Sequence, residues 1–449
     1  MKNKIVLVIF LFFMIASLFS QEYGYNPSGT SVLGAGVGMA WIDEQPYYVI
    51  SIQPDISIGR FGVGLGIQLL YDAHSGRIRT KDWNAGYDFF RIVRYFRYQR
   101  KGDALYWRMG ALDNERIGHG FILNHYNNQI HYDERKIGLV LDADFGHFGF
   151  ESLTNNTGRF EVIGGRGYIR PLYSSTIPVL KSLAFGGSVV TDIDPDSWKK
   201  SKDDISVWGV DVEMPFIKSK ILQMMIYADY AKIKNHGSGQ TIGFNTVLNM
   251  LSGHLNIEFD VERRFLGTEF IANYFGPFYE IFRHTTAGEL IEFYESMGGD
   301  SLGIPPEFLG FISPIPVSQE MLLPMMTEKR KGWYVSLTAE LFQLIRGVAT
   351  YQRIDEYETS GILHLGGGLS PSIPFLYLET TYDKRNIRNW GDLRTLDYRS
   401  TARVSMGLKM KSALMLSMDY IWSYQWDETV EQYKPQERFQ PTLTYRYTF

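Results

Sequence analysis

The chain has no cysteine. That excludes disulfides, thiolate metal sites, a cysteine nucleophile and lipid attachment at an N-terminal cysteine. Excess charge is also scarce. The formal net charge is −4, and no basic helix or basic tail appears, which speaks against a nucleic-acid partner. After residue 20 no stretch reaches the roughly 18 unbroken apolar residues of a membrane helix. There is no phosphate loop and no GxSxG nucleophile turn, so no cofactor and no enzyme activity is expected.

What is present is an N-terminal targeting pattern followed by alternation. Lys2 and Lys4 precede an apolar run over 5–16, and Ser20-Gln21 offers a cleavage point, although Leu18 is large for its position. A run this short with these flanks reads as a secretory signal over 1–20, removed on export. The 29 Tyr and 29 Phe suit a protein that crosses two membrane–water interfaces, where rings with a polar handle sit well.

The closing stretch, RFQPTLTYRYTF over 438–449, states the pattern most plainly. Phe439, Leu443, Tyr445, Tyr447 and Phe449 fall on one side of a period-2 ribbon, with Gln440, Thr442, Thr444, Arg446 and Thr448 on the other. In 61–71, large apolar residues from Phe61 to Tyr71 face one way, and Gly62, Gly64, Gly66 and Gln68 the other. Similar alternation marks 32–42, 47–58, 87–98, 104–112, 134–143, 147–153, 158–170, 182–192, 204–214, 221–232, 240–250, 254–262, 332–342, 345–354, 359–369, 373–383, 398–410 and 413–424. Together these predict about 20 strands (range 16–22), each near the ~9–11 residues a tilted strand needs to cross a bilayer.

Connection lengths supply a second constraint. Those after odd strands are long, notably 72–86, 113–133, 193–203, 263–331, 384–397 and 425–437. Those after even strands are short, such as 59–60, 144–146, 251–253, 343–344, 370–372 and 411–412. This parity is expected of a barrel with both ends on the periplasmic side. It holds only if the strand-like stretch 268–275 is placed inside a loop, and 171–181 is long for a periplasmic turn.

The expectation is therefore an all-β chain. Residues 21–449 form one closed antiparallel transmembrane β-barrel with a long, partly helical external loop over 263–331. In that loop Thr286 and Glu289 match a capping box, and Leu290, Ile291, Phe293, Tyr294 and Met297 recur near helical spacing before Gly298-Gly299. Its apolar surface must be buried. It either packs on the mouth as a cap or folds inward as a gate, with Thr286, Glu289, Phe293 and Tyr294 as the cap or gate residues.

If the apolar sets face lipid, the opposite sets line the lumen. Asp229, Asn256, Glu258 and Asp260 then gather on mid-chain strands, and Arg399, Arg403, Lys409 and Arg446 on late ones, as candidate pore-lining residues. Opposed charged walls would filter solutes by charge. The other reading is salt bridging between neighbouring strands. His119, His125 and His131 lie six apart, which is no standard metal spacing, and their segment reads as a polar external loop. Ser360 and His364 share a strand face without a placeable Asn, so a lipase-like site is not expected.

On its signal-like N-terminus, its Gly/Tyr-rich hairpins and its aromatic C-terminal residue, the chain resembles bacterial outer-membrane β-barrels of the porin or uptake-channel type. The stretch Gly118-His119-Gly120-Phe121-Ile122-Leu123-Asn124 is similar to a segment of capsule-assembly barrels. The resemblance implies residence in the outer membrane among its lipids, and delivery by the barrel-assembly machinery through Phe449. It also implies passive or gated passage of a small polar solute, or alternatively a non-transporting surface or envelope-assembly role that binds polysaccharide.

Overall fold

The computed structural model describes residues 31–83, 89–130, 135–195, 204–283, 285–287, 291, 316–370, 373–410, 413–427 and 432–448. The segment read as a signal peptide, most of the loop helix, and Phe449 lie outside them.

A single antiparallel sheet closes on itself. Its first strands are β1 (Val32–Ile42), β2 (Gln45–Ile58), β3 (Phe61–Leu65), β4 (Ile67–Asp72), β5 (Val93–Tyr98), β6 (Leu105–Gly110), β7 (Gly138–Asp144), β8 (Phe148–Thr154), β9 (Val162–Ile169) and β10 (Ala184–Asp192). The wall continues through β11 (Ile205–Lys218), β12 (Leu222–Ile233), β13 (Ser238–Met250) and β14 (Leu255–Leu266). Two-residue strands β15 (Thr285–Thr286) and β16 (Pro316–Val317) pair only with each other. Then come β17 (Arg330–Leu341), β18 (Ile345–Ile354), β19 (Gly361–Leu369), β20 (Leu376–Ile387), β21 (Ser400–Lys409), β22 (Leu414–Asp427) and β23 (Gln432–Thr448). β3 and β4 both pair with β2 and are one wall strand interrupted at Gly66, so the wall has 20 strands.

Closure is direct, because β1 pairs with β23 from Val32 opposite Thr448 to Ile42 opposite Arg438. A closed sheet leaves no backbone edge unpaired, a requirement wherever the surrounding solvent is hydrocarbon. Leu33, Val37, Ile50, Val189, Trp208, Val210, Ile242, Leu443 and Tyr445 are exposed on the outer face, while Ser51, Asp55, Arg166, Asp211, Thr241, Asp260, Glu262 and Thr442 are buried on the inner one. Apolar out and polar in is the polarity of a wall that meets lipid.

The up-and-down order holds, but a long connection does not follow every odd strand: Asp43 and Glu44 alone join β1 to β2, and β22 and β23 extend into the expected connection 425–437, because their backbones go on pairing to Asp427 opposite Gln432. β14 pairs directly with β17 along their full lengths, so 268–275 is not a wall strand. The β1–β2 hairpin turns on Asp43 and Glu44, both at positive φ (50° and 69°), the two-residue geometry whose twist matches the flanking strands. The long 171–181 turn carries one helical turn, Pro178–Lys181, which packs on β11.

The wall is uneven in height. β5 and β6 have six residues each, whereas β11 and β22 have fourteen and β23 seventeen. Beside the low sector the chain turns inward after Gly110, whose φ of 140° puts it where a side chain would meet the Arg94 carbonyl.

Candidate functional site

The segment read above as a polar external loop enters the barrel instead. Leu112, Ile117, Phe121, Ile122, Leu123, Tyr126 and Ile130 are buried. They form one core with Phe270, Ile271, Tyr274, Phe275, Phe278 and Tyr279 from the start of the long loop, and with Leu322, Leu323 and Met326 from its end. Leu123 and Phe275 make a parallel bridge, and Asn273 N–H donates to Phe121 O at 2.8 Å. The two connections thus build a single plug. Burying each such side chain contributes roughly 1.5–3 kcal/mol.

The wall is written to receive it. Val190, Ile205, Val207, Ala231 and Ile233 face inward and join the plug core, so near the long-loop end both faces of the sheet are apolar. Glycine makes room at one point of closest approach, because a Cβ at Gly239 would lie 2.4 Å from the Phe270 ring.

Polar contacts fasten the plug at two levels. Outermost, the buried Glu280 carboxylate accepts from Tyr126 Oη and from Asn155 Nδ2 (2.9 Å) and pairs with Lys136 Nζ (2.7 Å). Arg283 bonds both carboxylate oxygens of Asp192 (2.6 and 3.0 Å) and reaches Glu161 at 3.2 Å. Burial raises the Glu161 carboxyl, but Lys136 and Arg283 outweigh it and bring it down to about 2. Glu280 is likewise held well below the ordinary carboxylate range by Lys136 and Arg283, against its own burial.

Deeper in, the plug meets the acidic strands. Gly118 N–H donates to Glu151 (2.8 Å), His119 Nδ1 lies 3.0 Å from Asp229 with its ring stacked on Tyr227, and Asn124 Nδ2 donates to Tyr334 Oη (2.9 Å). His125 bonds Asn114 through Nδ1 (2.6 Å) and stacks on His364, whose own Nδ1 lies 2.7 Å from Asp383. The mid-chain acids are thus largely compensated in place. Arg166 binds Asp211, Glu213 and Glu151, Arg264 binds Glu262, and Asn245 donates to both Glu258 and Asp260.

Below the plug the lumen opens into a cavity of about 1030 Å³. Its lining includes Gln99–Asp103 and Phe342–Leu344 from the short-turn end, and Asn114, Arg116, Asn124 and His125 from the plug. Arg116 opens onto this space; the low-dielectric interior pulls its guanidinium down, but the nearby Glu258, Asp260, Tyr334 and Glu151 outweigh it and hold it above its ordinary range. Arg97, Lys101 and Arg346 line it alongside Asp142, Glu258, Asp260 and Glu340, so both signs of charge meet its water.

Glu258 and Asp260 line the cavity. Asn256 donates to Glu340 nearby (3.3 Å), and Asp229 is covered by His119. Arg403 lies electrostatically close to Glu379 and Asp419 on neighbouring strands. Lys409 Nζ donates to Ile373 O (2.8 Å), and Arg446 Nη1 contacts Met415 Sδ (3.7 Å). Arg399 lies one residue before β21, in the connection at the long-loop end, and its guanidinium binds Asp397 (2.8 Å) and Asn386 O. Among the gate candidates, Thr286 pairs with Pro316 in the two-residue ladder; Glu289, Phe293 and Tyr294 lie outside the described residues. His131 also lies outside them. Ser360 Oγ is engaged with the Ile354 backbone and is not aimed at His364. Among the described residues no group of three or more His, Asp or Glu side chains is arranged to hold a metal ion.

No protein-family model and no curated protein matches the chain. Among solved structures it is similar to CdiB from Acinetobacter baumannii (8% identity, TM-score 0.27, covering 93% of this chain), of which it spans 60%. It is also similar to Pseudomonas aeruginosa OccK11 (OpdR), at 9% identity and a TM-score of 0.31 over 94% of this chain and 95% of that one. OccK2 (OpdF) of the same organism, solved in complex with glucuronate, gives 9% identity and 0.31 over 94% and 98%. The closed sheet itself defines the fold as a β-barrel.

Proposed function

We propose that the protein is a porin-like channel of the outer membrane for a small polar solute, held closed in this state by its plug. Export by a cleaved N-terminal signal and recognition of Phe449 by the assembly machinery belong to the same reading. The observation that carries it is the cavity. It is large enough for many waters and lined by charge, it reaches from the short-turn end up to the plug, and the inward segment 112–130 ends it. Wider barrels of this order enclose aqueous passages or plugged ones, and this one has the second form.

Asp229, Asn256, Glu258 and Asp260 on one side, and Arg403, Lys409 and Arg446 on the other, serve as the passage walls, with Arg399 at the outer rim. The loop read as 263–331, shortened to 267–329 because 263–266 and 330–331 pair in the wall, acts as gate together with 112–130. A non-transporting surface role draws support from the density of bonds around Glu280, which favours permanent closure. Single-channel conductance of the full chain in planar bilayers tests the choice. Replacing 112–130 by a short Gly/Ser linker is expected to raise conductance several-fold over the intact chain. If the shortened barrel assembles and still passes no ions, the channel reading is lost.

A further inference from the structure

The plug segment carries two histidines six residues apart, each set against a titratable wall residue of a different kind. His119 Nδ1 is 3.0 Å from Asp229 on β12, beside Tyr227, with Asp211 and Glu213 of β11 also close. His125 stacks on His364 of β19 at 4.0 Å between ring centres and 22° between planes. The Nδ1 atoms of that pair are committed, to Asn114 and to Asp383, and both Nε2 atoms are buried with no hydrogen-bond partner. The other charged group facing His125 is Arg116 of its own segment. Asp383 is shared with Thr401 of β21, and Thr350 of β18 lies opposite His364.

We infer that the stacked pair His125–His364 is an acid-released latch, and that His119 on Asp229 is the pivot that stays fastened when it opens. A proton on His125 would sit against the His364 ring and the Arg116 guanidinium with no anion of its own. The same proton on His119 completes an ion pair. Acid therefore acts in opposite senses at the two ends of one short segment.

The signs follow from proton uptake. Burial, with His364 and Arg116, holds His125 well below the ordinary imidazole range. The seated plug thus binds fewer protons there than the released one, and this end's contribution is intact above the ordinary imidazole value and is lost as pH falls below it. At His119 burial lowers the value, but the bond to Asp229 outweighs it and the net direction is upward. That contribution is complete below the ordinary value and is lost only as pH rises through the raised one. Mild acid loosens the His125 end and leaves the His119 end clamped.

Absence of native cysteine makes the test clean. Leu123→Cys puts one thiol in the buried middle of the plug, and His74→Cys puts one on an exposed turn as reference. In the full chain in lipid, labelling of Leu123→Cys by a water-soluble thiol reagent, relative to His74→Cys, should rise about tenfold between about pH 7.5 and about pH 5. Adding His125→Phe should remove the rise, whereas adding His119→Gln should keep it and raise labelling at neutral pH. A ratio that ignores pH, or a rise that survives His125→Phe, overturns the latch. If Leu123→Cys fails to assemble, half-buried Asn127→Cys reports the same ratio. The labelling does not depend on conduction. A silent bilayer with acid-dependent labelling sinks the channel reading alone, and a conducting barrel with pH-independent labelling sinks the latch alone.

Discussion

The wall and the plug of this molecule are built from the same residue types under different rules. On the wall each side chain has one of two environments set by parity, and neighbours two apart share it. Val189 and Val190 illustrate the rule, the first half exposed to the outside and the second fully buried inward. In the plug no period operates. Phe121, Ile122 and Leu123 are consecutive and all buried, held by contacts with chain more than a hundred residues away. Where one face must meet oil and the other water, local pattern dictates structure. Where both sides are protein, only the partners do.

The contrast yields graded tests. The largest effect is expected from Glu280→Ala, which leaves Lys136, Arg283 and the Tyr126 hydroxyl without their shared acceptor. Removing one member of a buried ion network costs about 3–5 kcal/mol, and the loss should appear as protease or hydrogen-exchange access to 267–283 while the wall's hydrogen exchange stays unchanged. Equal loosening of wall and plug would erase the distinction between them. Next, Val189→Arg puts charge on the lipid face and should cost the wall about 2–4 kcal/mol if its position lies near the membrane midplane. Refolding into lipid and urea titration measures it, and a neutral result would mean this surface does not meet hydrocarbon. The smallest is Asn124→Ala, which removes the bond to Tyr334 and should loosen the plug by about 1 kcal/mol with no change in refolding of the wall.

Strand after strand of the wall is legible in the sequence, since Val32–Ile42 and Ile345–Ile354 coincide with the alternation to the residue. The break at Gly66 is not, because it depends on Gly66 N–H finding Ile92 O rather than on side-chain polarity. Strands 87–98 and 134–143 run shorter than alternation suggests, the first because a local turn at Phe89–Ile92 precedes β5 (Val93–Tyr98), the second because Lys136 turns to the plug's Glu280 before β7 (Gly138–Asp144) begins. Placing 268–275 inside the loop needed connection parity, not local composition. The inward course of 112–130 was hidden by its asparagines and histidines, which read as surface; His119 and Asn124 instead bond the wall residues Asp229 and Tyr334, and His125 stacks on His364. One signal did exist. Val207-Trp208-Gly209-Val210 is apolar on both faces, which a strand between lipid and water has no reason to be, and Val207 is the residue that touches the plug core.

The seam between β1 and β23 has a consequence for how such a molecule comes into being. The two ribbons that meet there are separated by nearly the entire polypeptide, so the ring cannot be completed piecemeal. Every intermediate short of the final pairing carries two sticky margins, and the step that joins them is the slowest kind of contact to find by chance. Until its two extremities meet, a newly made chain is therefore an open ribbon with two unpaired margins.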